Sequence, residues 1–341
     1  MTRLLQAMAG APRGGAEAFF ERLAVALHQA GETQKVVVRR DSARATRLRT
    51  AGLAVEEAAF GGAVDLTTKR RVARIIAAFG PRVVLTWMSR ATRLCPRGDF
   101  VHVARLGGYY DLRYYRHCDH LIGNTQALTA WMIGQGWPAA RVHYLPNFAD
   151  AATMPAVARA SLATPENAPL ALALGRLHPN KGFDVLLEAV AQVDGLYLWL
   201  AGEGPLDRAL RRQAAALGIE HRVRFLGWRS DVAALLAAAD MLVCSSRREP
   251  LGNTIIEAWA ACVPVVACAA SGPAELIVPD ETGLLVPVED AAALAAAMQA
   301  LADDQPRARA LAEAGHAVFA AQFSEAQVVG RYREFLATVS R

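Results

Sequence analysis

The segment Met241–Val263, MLVCSSRREPLGNTIIEAWAACV, predicts a buried strand, a polar loop and an apolar helix in that order. Its first four residues are apolar, which is typical of a strand covered on both faces. Pro250 lacks an N–H and Gly252 disfavours helix, so the helix should begin near Asn253 or Thr254, either of which can cap it. The N–H groups and dipole of a helix start attract anions. The segment therefore predicts an anion-binding turn after a buried strand.

Two carboxylates flank this turn. Glu249 should lie on the loop and Glu257 about one turn inside the helix, on the order of 10–15 Å apart. That separation suits a sugar and a ribose joined by a diphosphate, because carboxylates accept hydrogen bonds from hydroxyl groups. The alternative is that Glu249 is solvated and Glu257 lies on a helix surface. The apolar neighbours of Glu257 favour a partnered carboxylate.

Length and composition favour a two-domain globular protein. The chain has 341 residues and is 53% hydrophobic with mean hydropathy +0.18, enough to form two cores. Neither a signal-peptide pattern nor an uncharged apolar run of about 18 residues is evident. The five cysteines form no CxxC pair. We therefore expect a cytoplasmic protein with reduced cysteines and no metal site.

Charge is distributed unevenly along the chain. Residues 1–150 hold 21 Lys+Arg against 11 Asp+Glu, a net charge of +10, and residues 151–341 have a net charge of −5. A basic first half indicates an anionic partner: a membrane surface, a phosphorylated glycan or nucleic acid. Solvated helix surfaces are the alternative. The basic residues are scattered and match no nucleic-acid-binding module, so we expect no nucleic-acid partner.

Strand and helix patterns alternate in both halves. They predict an N-terminal domain over residues 1–150, a proline-containing linker, and a second domain over residues 165–320. Such alternation predicts α/β architecture, with two Rossmann-like domains built on parallel sheets. Ligands bind beyond the carboxyl ends of the strands in these sheets, so we expect the site in a cleft between the domains.

Four further segments carry candidate binding residues. The loop AGAPRGGAE is not a GxGxxG fingerprint, but Gly14–Gly15 would let a ligand approach a helix start; a simple tight turn is the alternative. In GRLHPNKG, Arg176 and Lys181 suit a diphosphate, or are surface charges. In FLGWR, Trp228 could stack on a base, or cover the surface. RLGGYYDLRYYR predicts a glycine turn followed by an aromatic, basic helix over Tyr109–Cys118, suited to phosphates or sugars.

Five segments together resemble one known family. GRLHPNKG, AGEGP, FLGW, EPLGNTIIEA and PAELIVPDETGLLVP occur in the order and at the intervals found in the retaining glycosyltransferases of family 4, which have the GT-B fold. The similarity is dense over residues 170–290 and looser over 1–150. It implies a nucleotide-diphosphate-sugar donor held by the second domain, retention of anomeric configuration, and no metal or other cofactor. It also implies that a C-terminal helix over 321–341 crosses back to the first domain.

The resemblance implies roles for individual residues. Arg176 and Lys181 would hold the diphosphate and stabilise the leaving group, Glu249 would bind the donor sugar, and Glu257 the ribose. Of these, Glu249, Arg176 and Lys181 are the candidate catalytic residues. The full implied donor-binding set is Gly14, Gly15, Arg176, Lys181, Gly227, Trp228, Arg229, Glu249, Leu251, Gly252, Asn253, Thr254 and Glu257.

One loop departs from the family pattern. Many members carry a His-Gly pair facing the donor sugar, whereas the matching segment here, RLGGYYD, has no histidine. Arg105, Tyr109 and Asp111 of this segment are the candidate acceptor-side residues.

We therefore expect a cytoplasmic glycosyltransferase acting on an anionic glycan or glycolipid, in lipopolysaccharide or cell-surface polysaccharide biosynthesis, with peripheral contact to an anionic membrane. Two alternatives remain open: a nucleotide-sugar epimerase of the same fold, and a non-catalytic nucleotide-sugar binder. The intact set Arg176, Lys181, Glu249 and Glu257 argues against the binder. The epimerase would need a histidine at the cleft that the first domain does not obviously supply.

Overall fold

The computed structural model describes residues 2–11, 14–61, 65–150 and 154–340. The chain divides into two compact units. Unit 1 comprises Met1–Phe148 together with Glu325–Arg341, and unit 2 comprises Ala149–Ser324. The residues expected to form a linker before 165 thus belong to unit 2, where they include a short 3₁₀ turn over Arg159–Leu162.

Unit 1 is built on a parallel sheet of seven strands in the order β3-β2-β1-β4-β5-β6-β7. The strands are β1 (Leu4–Met8), β2 (Gln34–Arg39), β3 (Ala54–Ala58), β4 (Val83–Trp87), β5 (Val101–Leu106), β6 (His120–Gly123) and β7 (Val142–Tyr144). The helices, numbered along the whole chain, are α1 (Gly15–Gln29), α2 (Ser42–Thr50), α3 (Leu66–Phe79), α4 (Met88–Leu94), α5 (Gln126–Gly134) and α13 (Glu325–Val339).

The prediction of a helix over Tyr109–Cys118 is wrong. Only a 3₁₀ turn over Leu112–Tyr114 forms there, because the Asp111 carboxylate accepts a hydrogen bond from the Arg113 N–H at 3.0 Å. Asp side chains favour such local turns over a continuing helix. The chain then continues to β6, and Tyr115 in this stretch is fully buried. Helix α4, which follows β4 directly, was not predicted.

Helix α13 completes the core of unit 1. Its apolar face, with Val328, Tyr332 and Leu336, packs in the same cluster as Phe19 and Phe148. Each such side chain contributes about 1.5–3 kcal/mol when fully buried. The last helix is therefore an integral part of unit 1.

Unit 2 is built on a parallel sheet of six strands in the order β10-β9-β8-β11-β12-β13. The strands are β8 (Leu170–Leu174), β9 (Tyr197–Ala201), β10 (Val223–Gly227), β11 (Met241–Cys244), β12 (Val265–Cys268) and β13 (Leu284–Val286). The helices are α6 (Phe183–Ala191), α7 (Asp207–Ala216), α8 (Val232–Ala238), α9 (Asn253–Ala260), α10 (Ser271–Leu276), α11 (Ala291–Asp303) and α12 (Gln305–Val318).

Both strand orders confirm the prediction of two Rossmann-like α/β units. In unit 2 the order reverses between β8 and β11, which pair in parallel through Met241 and Leu242. The loops that leave these two strands therefore start side by side, at the switch point where such sheets bind ligands. Within the described ranges, no helix is long and apolar enough to span a lipid bilayer.

Candidate active site

The switch point of unit 2 brings together a lysine and a carboxylate. The Lys181 ammonium, on the loop after β8, donates to Glu249 Oε2, on the loop after β11. Ser246 Oγ donates to the same oxygen at 3.3 Å. Burial opposes the charged form of Lys181, but Glu249 and Glu257 outweigh it and raise the pKa of Lys181. The lysine therefore remains a cation at neutral pH.

Two glycines allow the two loops to approach each other. The stem of Lys181 lies against Gly175, where a Cβ would come within 2.9 Å of Lys181 Cε. Gly182 has φ of 61°, and a Cβ there would lie 2.2 Å from the Ser245 carbonyl oxygen. Ser245 Oγ in turn donates to the Lys181 carbonyl at 2.9 Å. At Gly182 this neighbour is backbone, so the close approach of the two loops there requires glycine.

Arg247 holds the same loops together, a role that no sequence pattern indicates. Its guanidinium donates twice to the Asp184 carboxylate, both at 2.7 Å, and also pairs with Glu289. It donates to the Pro179 carbonyl at 2.9 Å as well. Hydrogen bonds from Arg247 to Asp184 and Glu289 raise the pKa of Arg247. Because its donors are engaged, Arg247 positions the loops and does not face a ligand.

Arg176 supplies a second cation on the loop that carries Lys181. It is exposed, directly follows Gly175, and has no carboxylate partner within the part of the chain that the structure describes. An exposed guanidinium without a carboxylate partner can bind an incoming phosphate without first breaking an ion pair.

Helix α9 begins as expected, but its cap is different. Gly252, in the left-handed conformation with φ of 93°, is the cap residue, so the expectation of Asn253 or Thr254 in that position is wrong. The Gly252 carbonyl accepts from the Ile255 N–H at 3.0 Å. Since glycine has no side chain, it does not itself block the N-terminal N–H groups of the helix.

The two predicted carboxylates lie on either side of this helix start, Glu249 on the loop before α9 and Glu257 within the helix. Glu257 lies one turn inside α9, half-buried, while its neighbours Ile256 and Ala258 are buried. The Glu257 charge contributes to the raised pKa of Lys181. The structure thus gathers Lys181, Glu249 and Glu257 at one end of the sheet.

Helix α10 holds the loop that carries Glu249. Leu251 is buried, and a Cβ on Gly272 would lie 2.5 Å from the Leu251 carbonyl carbon. The Gly272 N–H donates to the Glu249 carbonyl at 2.8 Å. The glycine in SGPAEL therefore fixes the Glu249 loop, a role that depends on contact between distant segments.

The loop after β10 carries two candidates, Trp228 and Arg229. Trp228 is 54% exposed, which leaves its ring able to stack on a flat base. Arg229 is instead paired with Asp231, with 2.8 Å between Arg229 Nε and Asp231 Oδ1. Hydrogen bonds between the two raise the pKa of Arg229 and lower that of Asp231. Gly227 turns the chain with φ of 65°.

In unit 1, the glycine loop is filled by a carboxylate. Helix α1 begins at Gly15, preceded by Gly14. Glu17 is buried and accepts from the Ala11 N–H at 2.7 Å, and a Cβ on Gly14 would lie 2.2 Å from Glu17 Oε2. A Cβ on Gly10 would likewise lie 2.4 Å from Glu17 Oε1, so Gly10 and Gly14 accommodate the protein's own carboxylate. Two residues of this loop, Pro12 and Arg13, lie outside the described residues.

The acceptor-side candidates separate into one buried and two exposed residues. Arg105 is 2% exposed. Its Nε donates to the Tyr332 hydroxyl at 2.8 Å, and its guanidinium lies 4.8 Å from the Trp87 ring centroid. It is a structural residue, so its assignment to the acceptor is corrected. Tyr109 is 50% exposed. Asp111 is exposed but paired with Arg113 at 2.8 Å.

A parallel sheet with cations and carboxylates at its switch point is the arrangement of α/β enzymes that bind phosphorylated ligands. Residues 156–318 match the glycosyl transferases of group 1. The chain is 37% identical over 331 residues to the lipopolysaccharide core biosynthesis glycosyltransferase LpsE of Rhizobium meliloti (strain 1021), covering 95% of this chain and 96% of LpsE. It is 35% identical to LpsD of the same organism, with 94% of each covered.

The fold is shared with solved structures. The crystal structure of Anabaena Alr3699/HepE in complex with UDP and glucose has a TM-score of 0.83 and 24% identity, covering 99% of this chain and 100% of that one. The chain therefore belongs to the group 1 glycosyl transferases, and it is a glycosyltransferase with the GT-B fold.

Proposed function

We propose that the enzyme transfers a sugar from a nucleotide-diphosphate-sugar to an anionic glycan or glycolipid, in lipopolysaccharide or cell-surface polysaccharide biosynthesis, as a retaining member of family 4. The gathering of Lys181, Glu249 and Glu257 at the switch point of unit 2 carries the proposal. The names of LpsE and LpsD support the lipopolysaccharide setting. The UDP and glucose bound to Anabaena HepE support the class of donor.

In this proposal the two cations hold the diphosphate. Lys181 stays protonated because Glu249 and Glu257 raise its pKa above the ordinary value. The exposed guanidinium of Arg176 would add a bidentate contact. Together they would stabilise the negative charge that develops on the leaving diphosphate, so the reaction would need no metal ion. Preorganised donors of this kind contribute about 2.7–4 kcal/mol each to catalysis.

The carboxylates would hold the two sugars of the donor. Glu249, fixed by Lys181 and Ser246, would accept hydrogen bonds from hydroxyls of the transferred sugar. Glu257, one turn along α9, would accept from the ribose, and Trp228 would cover the base. The N–H groups around Gly252–Thr254 would face the phosphate and sugar.

We assign the acceptor to unit 1. Tyr109 presents an exposed ring, supported edge-on by Trp131 with 5.2 Å between ring centroids, and such a ring suits the apolar face of a sugar. The net charge of +10 over residues 1–150 favours an anionic acceptor and peripheral contact with an anionic membrane. All five cysteines are unpaired, in keeping with a cytoplasmic location. Co-sedimentation with anionic vesicles tests the membrane contact: we expect binding at low salt, and no binding would refute it.

A donor panel tests the activity. The enzyme is incubated with nucleotide sugars, beginning with UDP-glucose, and the products are separated by chromatography and identified by NMR. Transfer to a glycan acceptor, or slow donor hydrolysis in its absence, is expected of a transferase. An epimerised donor would establish the epimerase instead, and binding with neither product would establish a binder. The anomeric coupling constant of the transferred sugar distinguishes retention from inversion.

A further inference from the structure

Unit 1 contains a cavity of about 1010 Å³ that none of the roles above uses. Its lining contains one carboxylate, Asp119, and a set of permanently charged cations. We call it the cationic pocket, defined by Lys69, Arg93, Arg97, Arg113, Arg116 and Arg141.

Most of this charge is not neutralised by the protein. Arg113 is paired with Asp111 at 2.8 Å. Asp119 Oδ2 accepts instead from the His102 N–H at 2.8 Å. Over the described ranges, no carboxylate forms a salt bridge with any of the other five cations. Clustered cations repel one another, so an arrangement of this kind gains stability when an anion binds.

A histidine in the pocket remains neutral and orients one arginine. An Arg97 guanidinium nitrogen lies 2.9 Å from His117 Nδ1. Desolvation by burial, with the charges of Arg97 and Arg116, lowers the pKa of His117. Its ring is therefore neutral at pH 7, and Nδ1 accepts the hydrogen bond from Arg97. The guanidinium is held in place without losing its charge.

The pocket lies away from the reactive end of the sheet. Phe100, Asp119 and Arg141 line it, and these residues immediately precede or adjoin the starts of β5, β6 and β7. The carboxyl end of β5, where Gly107 begins the loop to Tyr109, lies five residues beyond His102, or about 17 Å along the strand. The cationic pocket is therefore distinct from the carboxyl ends of the strands, where parallel sheets bind their substrates.

The lining combines cations with an aromatic ring. Tyr114 is half-buried, and guanidinium carbons lie close to its ring centroid, Arg113 at 4.8 Å and Arg93 at 5.7 Å. Guanidinium groups bind phosphate in a fork, and an aromatic face packs against the C–H face of a sugar ring. The volume matches a small ligand, whereas a membrane surface needs no cavity.

We propose that the cationic pocket is a binding site for a phosphorylated saccharide, separate from the sites of donor and acceptor transfer. The phosphate would be held by Arg93, Arg97 and Arg116, and the sugar ring would lie against Tyr114. The site goes beyond the proposed transfer and does not depend on it. The pocket can hold a phosphate-bearing part of a larger glycan while another part of that glycan reaches the carboxyl ends of the strands.

Calorimetric titration of the full-length protein tests this with glucose 6-phosphate, inorganic phosphate and glucose as probes. The test variant is Arg93→Gln/Arg116→Gln. The control is Arg208→Gln/Arg212→Gln, which removes the same charge from exposed positions on α7. We expect glucose 6-phosphate to bind more tightly than phosphate, glucose not to bind, and the test variant alone to raise Kd by about tenfold or more.

Several results would overturn the proposal. Equal weakening in both variants would show non-specific attraction to a basic surface. Equal Kd values for inorganic phosphate and glucose 6-phosphate would show that the sugar ring does not contribute to binding. Loss of binding to anionic vesicles in the test variant, with no binding of glucose 6-phosphate to the wild type, would identify a membrane contact instead. Donor binding to UDP-glucose, measured in parallel, should be the same in all three proteins, so failure here is distinguishable from failure of the proposed transfer.

Discussion

Replacing Lys181 with glutamine removes the ammonium that holds Glu249 and, in our account, the diphosphate. With the donor bound, Lys181 would stabilise the charge on the leaving group, an effect worth about 2.7–4 kcal/mol for one preorganised donor. We therefore expect kcat to fall by about 100- to 1000-fold. The Glu249 side chain is 14% exposed, so losing its charged partner should also lower the free energy of unfolding by about 1–3 kcal/mol.

A second variant separates these two effects. In Lys181→Gln/Glu249→Gln the carboxylate that Lys181 contacts directly is neutral as well, so the free energy of unfolding should return to within about 1 kcal/mol of wild type, while activity stays low. Initial rates at saturating donor and urea unfolding measure the two quantities. Lys35→Gln, in unit 1, is the control and should retain wild-type kcat. A Lys181→Gln enzyme within tenfold of wild-type kcat, or a double variant that regains activity, would refute the reasoning.

Three further predictions concern single residues. In urea unfolding, Gly182→Ala should lower the free energy of unfolding by at least about 1 kcal/mol more than Gly218→Ala. Both glycines have positive φ, but only a Cβ on Gly182 would meet a backbone atom. An equal loss of stability in the two variants would contradict this. Burial lowers the pKa of His102 to about 4, so the unfolded chain binds a proton that the folded chain does not, and stability falls as pH falls from about 6.5 towards 4. Between pH 7 and 5 the free energy of unfolding should fall by roughly 2 kcal/mol through His102, and His102→Gln should reduce that pH dependence. An unchanged slope of stability against pH in the variant would show that His102 is not the group responsible. Trp228→Ala should weaken nucleotide binding about tenfold in a titration, whereas Trp228→Phe should largely retain binding. Equal affinity in all three proteins would show that the base does not stack on Trp228.

The elements around the site could be predicted because local chemistry determines them. Pro250 and Gly252 mark the end of the loop after β11, and α9 begins directly after them. The contact between Lys181 and Glu249 could not be predicted, because they are 68 residues apart and meet only through the pairing of β8 with β11. The same holds for Arg247 and Gly272, whose partners come from other loops.

The two errors have different causes, one a long-range contact and the other a local turn. The motif match places Arg105 with the acceptor-side residues, but in the folded chain its Nε donates to the Tyr332 hydroxyl, 227 residues away. The aromatic and basic segment after it has helical composition, yet the Asp111 side chain favours a local turn. Sequence patterns determine which elements form, whereas the partners of a buried charge depend on the topology.

The central claim is that the switch point of unit 2 binds a nucleoside diphosphate. A crystal structure of the enzyme with UDP tests this most directly. We predict diphosphate oxygens within about 2.7–3.2 Å of Lys181 Nζ and the Arg176 guanidinium, with ribose hydroxyls at the same distance from Glu257. A nucleotide bound elsewhere, with Lys181 still paired only to Glu249, would contradict the account.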